Sequence, residues 1–142
     1  MKRHSTIFAA AIVLLLSAGS AYGQSGGTFK VPFSFVAGEK VLTAGEYHIT
    51  EDSTPGVLQV WGSDRKTILV LAGSIETLDA STQTKIVFHR YENRYFLAQL
   101  WVEGENGGRN LPIGRQEREM ARKSDPESMV VIASTNGQKG KN

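Results

Sequence analysis

Residues 88–101 read FHRYENRYFLAQLW, five aromatic side chains and a histidine divided by the polar pair Glu92 and Asn93. On either side, Lys85 to Tyr91 and Arg94 to Glu103 are rich in β-branched and aromatic residues, and a two-residue gap is the spacing of a tight hairpin turn. With Glu92 and Asn93 at the centre, Arg90 faces Tyr95, His89 faces Phe96 and Phe88 faces Leu97. That register predicts one face of Ile86, Phe88, Tyr95, Leu97, Gln99 and Trp101. The other carries Val87, His89, Phe96, Ala98, Leu100 and Val102. Both faces are mostly apolar, so the hairpin is either central and covered twice, or covered on one side and binding something on the other. A slip of one residue reverses every assignment.

Upstream, TFKVPFSFVAG alternates Phe29, Val31, Phe33 and Phe35 with Thr28, Lys30, Pro32 and Ser34, the period of a half-buried strand. Pro32 cannot donate to a ladder and places this strand at an edge or a bulge. In GEKVLTAGEYHIT, Ala44 and Gly45 make a turn, Leu42 faces the core, and Tyr47 and Ile49 share a face opposite His48. Two apolar runs follow, Val57 to Trp61 and Thr67 to Ile75, joined by the polar turn Gly62 to Lys66, with Gly73 marking a bulge or bend within the second. Downstream, GENGGRN reads as an exposed glycine-rich loop, and Arg115 to Lys123 as the one helix, with Glu119 and Lys123 spaced for a weak ion pair. Its cations Arg115, Arg118, Arg122 and Lys123 are balanced by Glu117 and Glu119, the pattern of a solvated helix. MVVIAS is a terminal strand. The fold class is therefore mainly β: a single antiparallel β-sandwich or small β-barrel with one short C-terminal helix, the sandwich preferred.

The first 23 residues have the form of a secretory signal peptide: basic Lys2, Arg3 and His4, an apolar run Ile7 to Leu16 too short for an ordinary membrane anchor, then small residues to Gly23. The expected organisation is signal peptide 1–23, flexible leader 24–27, β-domain 28–134 and flexible tail 135–142. Export to the periplasm or extracellular space follows, with no integral membrane segment after cleavage. The chain has 16 Lys and Arg against 14 Asp and Glu. Losing Lys2 and Arg3 brings these level, so no broad positive field remains to draw nucleic acid. There is no cysteine, so stability rests on packing without disulfides.

Three stretches, VPFSFVAGEKVLTAGEYHI, IVFHRYENRYFLAQLW and LPIGRQEREMAR, together resemble a type of small exported β-rich protein from bacteria of the acidobacterial kind. The resemblance covers most of the exported part and implies a shared fold. It implies no activity, cofactor or catalytic residue. The type usually has a glycine in the hairpin turn and a proline in the LTAG corner, where this chain has Glu92 and Thr43.

Catalytic chemistry finds little footing. Beyond the signal segment only His48 and His89 suit proton transfer near neutral pH, and no HxH, HExxH, GxSxG or calcium-loop pattern occurs. No metal and no cofactor is expected, and the chain reads as noncatalytic. Binding has better candidates in Tyr91, Tyr95, Trp101 and Trp61, with Arg90 and Arg94 beside the tyrosines, because flat aromatics serve interfaces and stack on sugar rings. The leading expectation is an exported binding or structural domain that meets another envelope or extracellular protein, with an edge strand such as Phe29 to Val36 open to strand addition. The alternatives are a carbohydrate or small hydrophobic ligand binder using the Tyr and Trp positions, and a hydrolase depending on His48 or His89.

Overall fold

Pro32 ends the first strand one residue after its last ladder position, and the chain changes sheets there. In the computed structural model, which describes residues 25–134, β1 (Gly26–Val31) pairs with β4 (Gly45–Glu51), whereas β2 (Phe35–Ala37) joins the opposite layer. The predicted single strand from Thr28 to Val36 is thus two. Alternation survives the crossing, and Phe29, Val31 and Phe35 are all buried in one core. Strand β1 starts at Gly26, inside the stretch read as a leader; the expected signal peptide 1–23 and the expected tail 135–142 fall outside the described residues.

The second crossing lies at the expected bend near Gly73. Strands β5 (Val57–Gly62) and β6 (Thr67–Leu71) complete a four-stranded antiparallel sheet in the order β1-β4-β5-β6. After Ala72 the chain passes to β7 (Gly73–Glu76) in the other layer, so the apolar run 67–75 is divided between sheets. That seven-stranded sheet also holds β3 (Lys40–Leu42), β8 (Lys85–Tyr91), β9 (Arg94–Trp101), β10 (Gly107–Asn110) and β11 (Glu127–Ile132). Its main path runs β11-β8-β9-β10-β7, with β2 meeting β9 in parallel at Val36↔Phe96. The architecture is a two-sheet β-sandwich with one helix, α1 (Arg115–Ala121), and no closed barrel. GENGGRN is not a free loop: Gly107–Asn110 is β10, bonded to β9 and β7.

The central hairpin has the predicted register, with Phe88↔Leu97, His89↔Phe96 and Arg90↔Tyr95. It holds only to that point. Val87 pairs with Gln99, so Ala98 is an extra residue and the strand bulges. The bulge reverses the faces beyond it. Tyr95, Leu97, Leu100 and Val102 all pack into the core with Ile86 and Phe88, while Gln99 and Trp101 turn outward. The expectation that Trp101 shares a face with Phe88 fails for this reason. Phe88 sits at the centre, edge-on to Phe33 (4.9 Å, 83°) and Phe35 (5.2 Å, 71°), with Tyr47 edge-on to Phe35 from the opposite sheet.

At the hairpin tip Glu92 has φ 52°, a left-handed conformation costly for a side chain with a Cβ. Glycine is preferred at the first central position of such turns. Glu92→Gly therefore raises stability by roughly 0.5–1 kcal/mol, the relief of strain exceeding the extra entropy of the unfolded chain. Chemical denaturation reads this directly; an unchanged or lower midpoint would show that the tip carries no strain.

Candidate functional site

Helix α1 is too short to hold itself and is tied down by one carboxylate. Glu117, in its first turn, is the single buried charged residue among those described. Its Oε1 lies 2.6 Å from His89 Nδ1 and accepts a hydrogen bond from the Tyr91 hydroxyl at 3.2 Å. Around this knot Tyr91 meets Phe96 edge-on (5.8 Å, 81°), Met120 packs against the cluster of Val36, Tyr91 and Phe96, and Arg94 donates to Gln116 Oε1 at 2.7 Å. Burial first, then the Glu117 charge and hydrogen bond, push the Tyr91 hydroxyl up to about 12. The helical cations do not converge on a ligand: Arg115 pairs with Glu119 at 3.9 Å, and the helix ends before the anticipated Glu119–Lys123 pair.

A carboxylate on Nδ1 orients an imidazole, the positioning role it has beside a general base. Among the described residues, no hydroxyl is hydrogen-bonded to the His89 ring opposite Glu117. Ser128 stands across from His89 in register, yet no side-chain hydrogen bond joins them. The nearby cavity of about 250 Å³ is lined by Glu39, Phe96, Arg115 and Glu117, not by His89 or Ser128. Among the described residues, no group of three or more His, Asp or Glu side chains could hold a metal ion. No helix among them is long and apolar enough to cross a membrane.

The six binding candidates occupy separate places. Tyr91 is buried beneath α1. Tyr95 lines the end of the core, stacked on Phe33 at 3.7 Å and 13°, with the Arg90 guanidinium 5.6 Å above its ring. Arg90 also reaches Glu127 at 3.7 Å, and Arg94 lies over Phe96 at 5.4 Å besides bonding α1. Trp61 belongs to the other sheet, stacked on His48 (5.0 Å, 21°), whose Nδ1 is 2.8 Å from Thr28 Oγ1. Trp101 lies partly exposed on the outer face of the seven-stranded sheet. The four aromatics do not form one surface.

Strand β6 is an open sheet edge with exposed apolar side chains. It ends the four-stranded sheet, and its solvent-side residues Leu69 and Leu71 are 61% and 70% exposed. Ala72 N–H donates to Gly56 O, and alternation back along the β5–β6 register turns the backbone groups of Thr67, Leu69 and Leu71 away from β5, to the open edge. Beside that edge runs a groove of about 410 Å³, walled by Ala37–Lys40 and Leu111–Gly114 and mostly apolar. The sequence offered one signal for it, the charge-free run Thr67–Leu71. That run continues without a charge to Ile75 and so reads as part of one longer strand. Glu117 had no signal at all, since nothing local tells which helical acid will be buried.

No family model, no curated protein and no solved structure matches this chain.

Because the folded chain keeps Tyr91 protonated to about pH 12 and the unfolded chain releases that proton near 10, its contribution to stability is complete below pH 10 and is lost as pH rises through 12. Glu117→Gln removes the charge that helps hold the proton. The alkaline decline in the urea midpoint is then shallower and ends at lower pH than in the wild type. An identical decline in both proteins would uncouple the carboxylate from Tyr91.

Proposed function

We propose that the protein is an exported, noncatalytic β-domain that binds a partner protein by accepting an extended segment along β6. The observation that carries this reading is an edge strand with three outward backbone positions, two exposed leucines and no charge of its own. Sheet edges of this kind template the pairing of another strand, which is why most are blunted by lysine, proline or bulges. The adjoining groove receives alternate side chains of the added segment, and the backbone ladder supplies orientation. The N-terminal edge considered from sequence is less available, because Thr28 O already accepts a hydrogen bond from Ser134 N at 2.7 Å. Export rests on the signal-like first 23 residues.

The test uses a capped peptide of alternating valine and threonine as an extended probe. On binding, the amides of Leu69 and Leu71 become protected from hydrogen exchange. Leu71→Pro removes one outward N–H without touching the β5 ladder, and weakens the probe by roughly tenfold, about 1–1.5 kcal/mol for the lost bond. Equal affinity in Leu71→Pro, with the fold intact by circular dichroism, would refute strand addition at β6.

A further inference from the structure

The outer face of the seven-stranded sheet carries an arrangement that neither the core nor β6 uses. Trp101 lies flat against β10 because position 108 is glycine: a Cβ there would stand 2.8 Å from Trp101 Cδ2 and 2.9 Å from Cε3. Its Nε1 donates to Gln99 Oε1 at 2.9 Å, which fixes the indole and leaves the Gln99 amide N–H groups unused. In register, Asn110 is the cross-strand partner of Gln99, and Lys85 that of Trp101. Directly paired residues project to the same side, so both flank the ring. Among the described residues, neither the Asn110 carboxamide nor the Lys85 ammonium has a side-chain partner.

We propose that this face is a glycan-binding site, in which Trp101 stacks on a pyranose ring and Gln99, Asn110 and Lys85 bond its hydroxyls. The chemistry matches on both counts. One face of a pyranose is a sheet of C–H bonds, weakly positive and apolar, and suits the negative face of an indole. Its rim is all hydroxyls, and planar amides and an ammonium placed around one aromatic ring meet such a rim, whereas a protein interface concentrates apolar contact and dispenses with unpaired donors at its centre. The ring is immobilised before any ligand arrives, so stacking loses little entropy. The site stands independently of β6, which lies in the opposite sheet.

The chain has two tryptophans, so Trp61→Phe leaves Trp101 as the sole reporter. This variant is titrated with cellohexaose, chitohexaose and hexagalacturonate. A saturable change in fluorescence with at least one is expected, hexagalacturonate gaining from Lys85. Trp101→Ala, made in the otherwise natural chain and followed by affinity electrophoresis, weakens the retained glycan by about tenfold or more. Asn110→Ala combined with Lys85→Ala, both at surface positions, weakens it severalfold with an unchanged melting temperature, and decides the matter should Trp101→Ala fail to fold. Silence of the fluorescence with all three sugars, or retention by the double variant equal to the wild type, would overturn the proposal.

Discussion

The extra residue at Ala98 is the constraint from which most of the molecule follows. A strand that alternates without interruption cannot send Leu97 and Leu100 to the same side, yet both are core residues here. The bulge makes this possible by placing one residue out of the ladder. Before it, the outward positions are His89, Tyr91 and Phe96, which α1 covers; after it, they are Gln99 and Trp101, which remain partly exposed. It also coincides with a change of neighbour: β10 pairs with the Gln99–Trp101 end of β9, β2 meets it at Phe96, and Leu111 N–H is bonded to Ala98 O at the junction. A single inserted residue thus divides one sheet face into a covered half and an open half.

The covered half is closed chemically rather than by bulk. The satellite cluster of Val36, Tyr91, Phe96 and Met120 is small, and a seven-residue helix without a side-chain N-cap has little stability of its own. Burying Glu117 would be costly if it stood alone, but both of its neighbours reach the same oxygen. Removing one partner leaves a buried carboxylate short of a bond, which makes the knot specific: a helix shifted by one residue would bury Gln116 or Arg118 opposite His89 and Tyr91, and lose it. Specific docking of α1 in turn positions Leu111–Gly114, one wall of the groove beside β6.

Where local pattern and burial agree, the sequence is readable. The hairpin register from Phe88 to Tyr95 follows from a two-residue turn, and the inward alternation of Phe29, Val31 and Phe35 follows from period two. What escaped reading are the places where alternation is kept or broken by events in three dimensions. The crossing at Pro32 preserves the inward pattern, because the next strand in the opposite sheet faces the same core; one strand and two halves of two strands have identical periodicity. Ala98 gives no glycine or proline to mark its bulge. The GENGGRN stretch has the composition of a loop and is ordered by strands on both sides, one of which needs Gly108 bare for Trp101. In each case the deciding contact is distant in sequence.

The edges of the two sheets differ in how they are protected, and the difference bears on the strand addition proposed at β6. At β1, Lys30 is exposed, Pro32 follows directly and Ser134 bonds to Thr28 O; β11 opens with Glu127, which reaches Arg90; β7 has only four residues. These are the ordinary devices that keep sheets from pairing with one another. Strand β6 has none, and its flanking cations Arg65 and Lys66 lie in the preceding turn, outside the ladder. An unguarded edge is a liability for any chain that must persist in solution, most of all for one without disulfides. Edge strands β3 and β11 also expose an apolar side chain or two, Val41 in one and Val130 with Ile132 in the other, but β3 has three residues and includes Lys40, and β11 opens with Glu127; β6 alone combines a charge-free ladder with an adjoining apolar groove, and the strand addition proposed there rests on that combination.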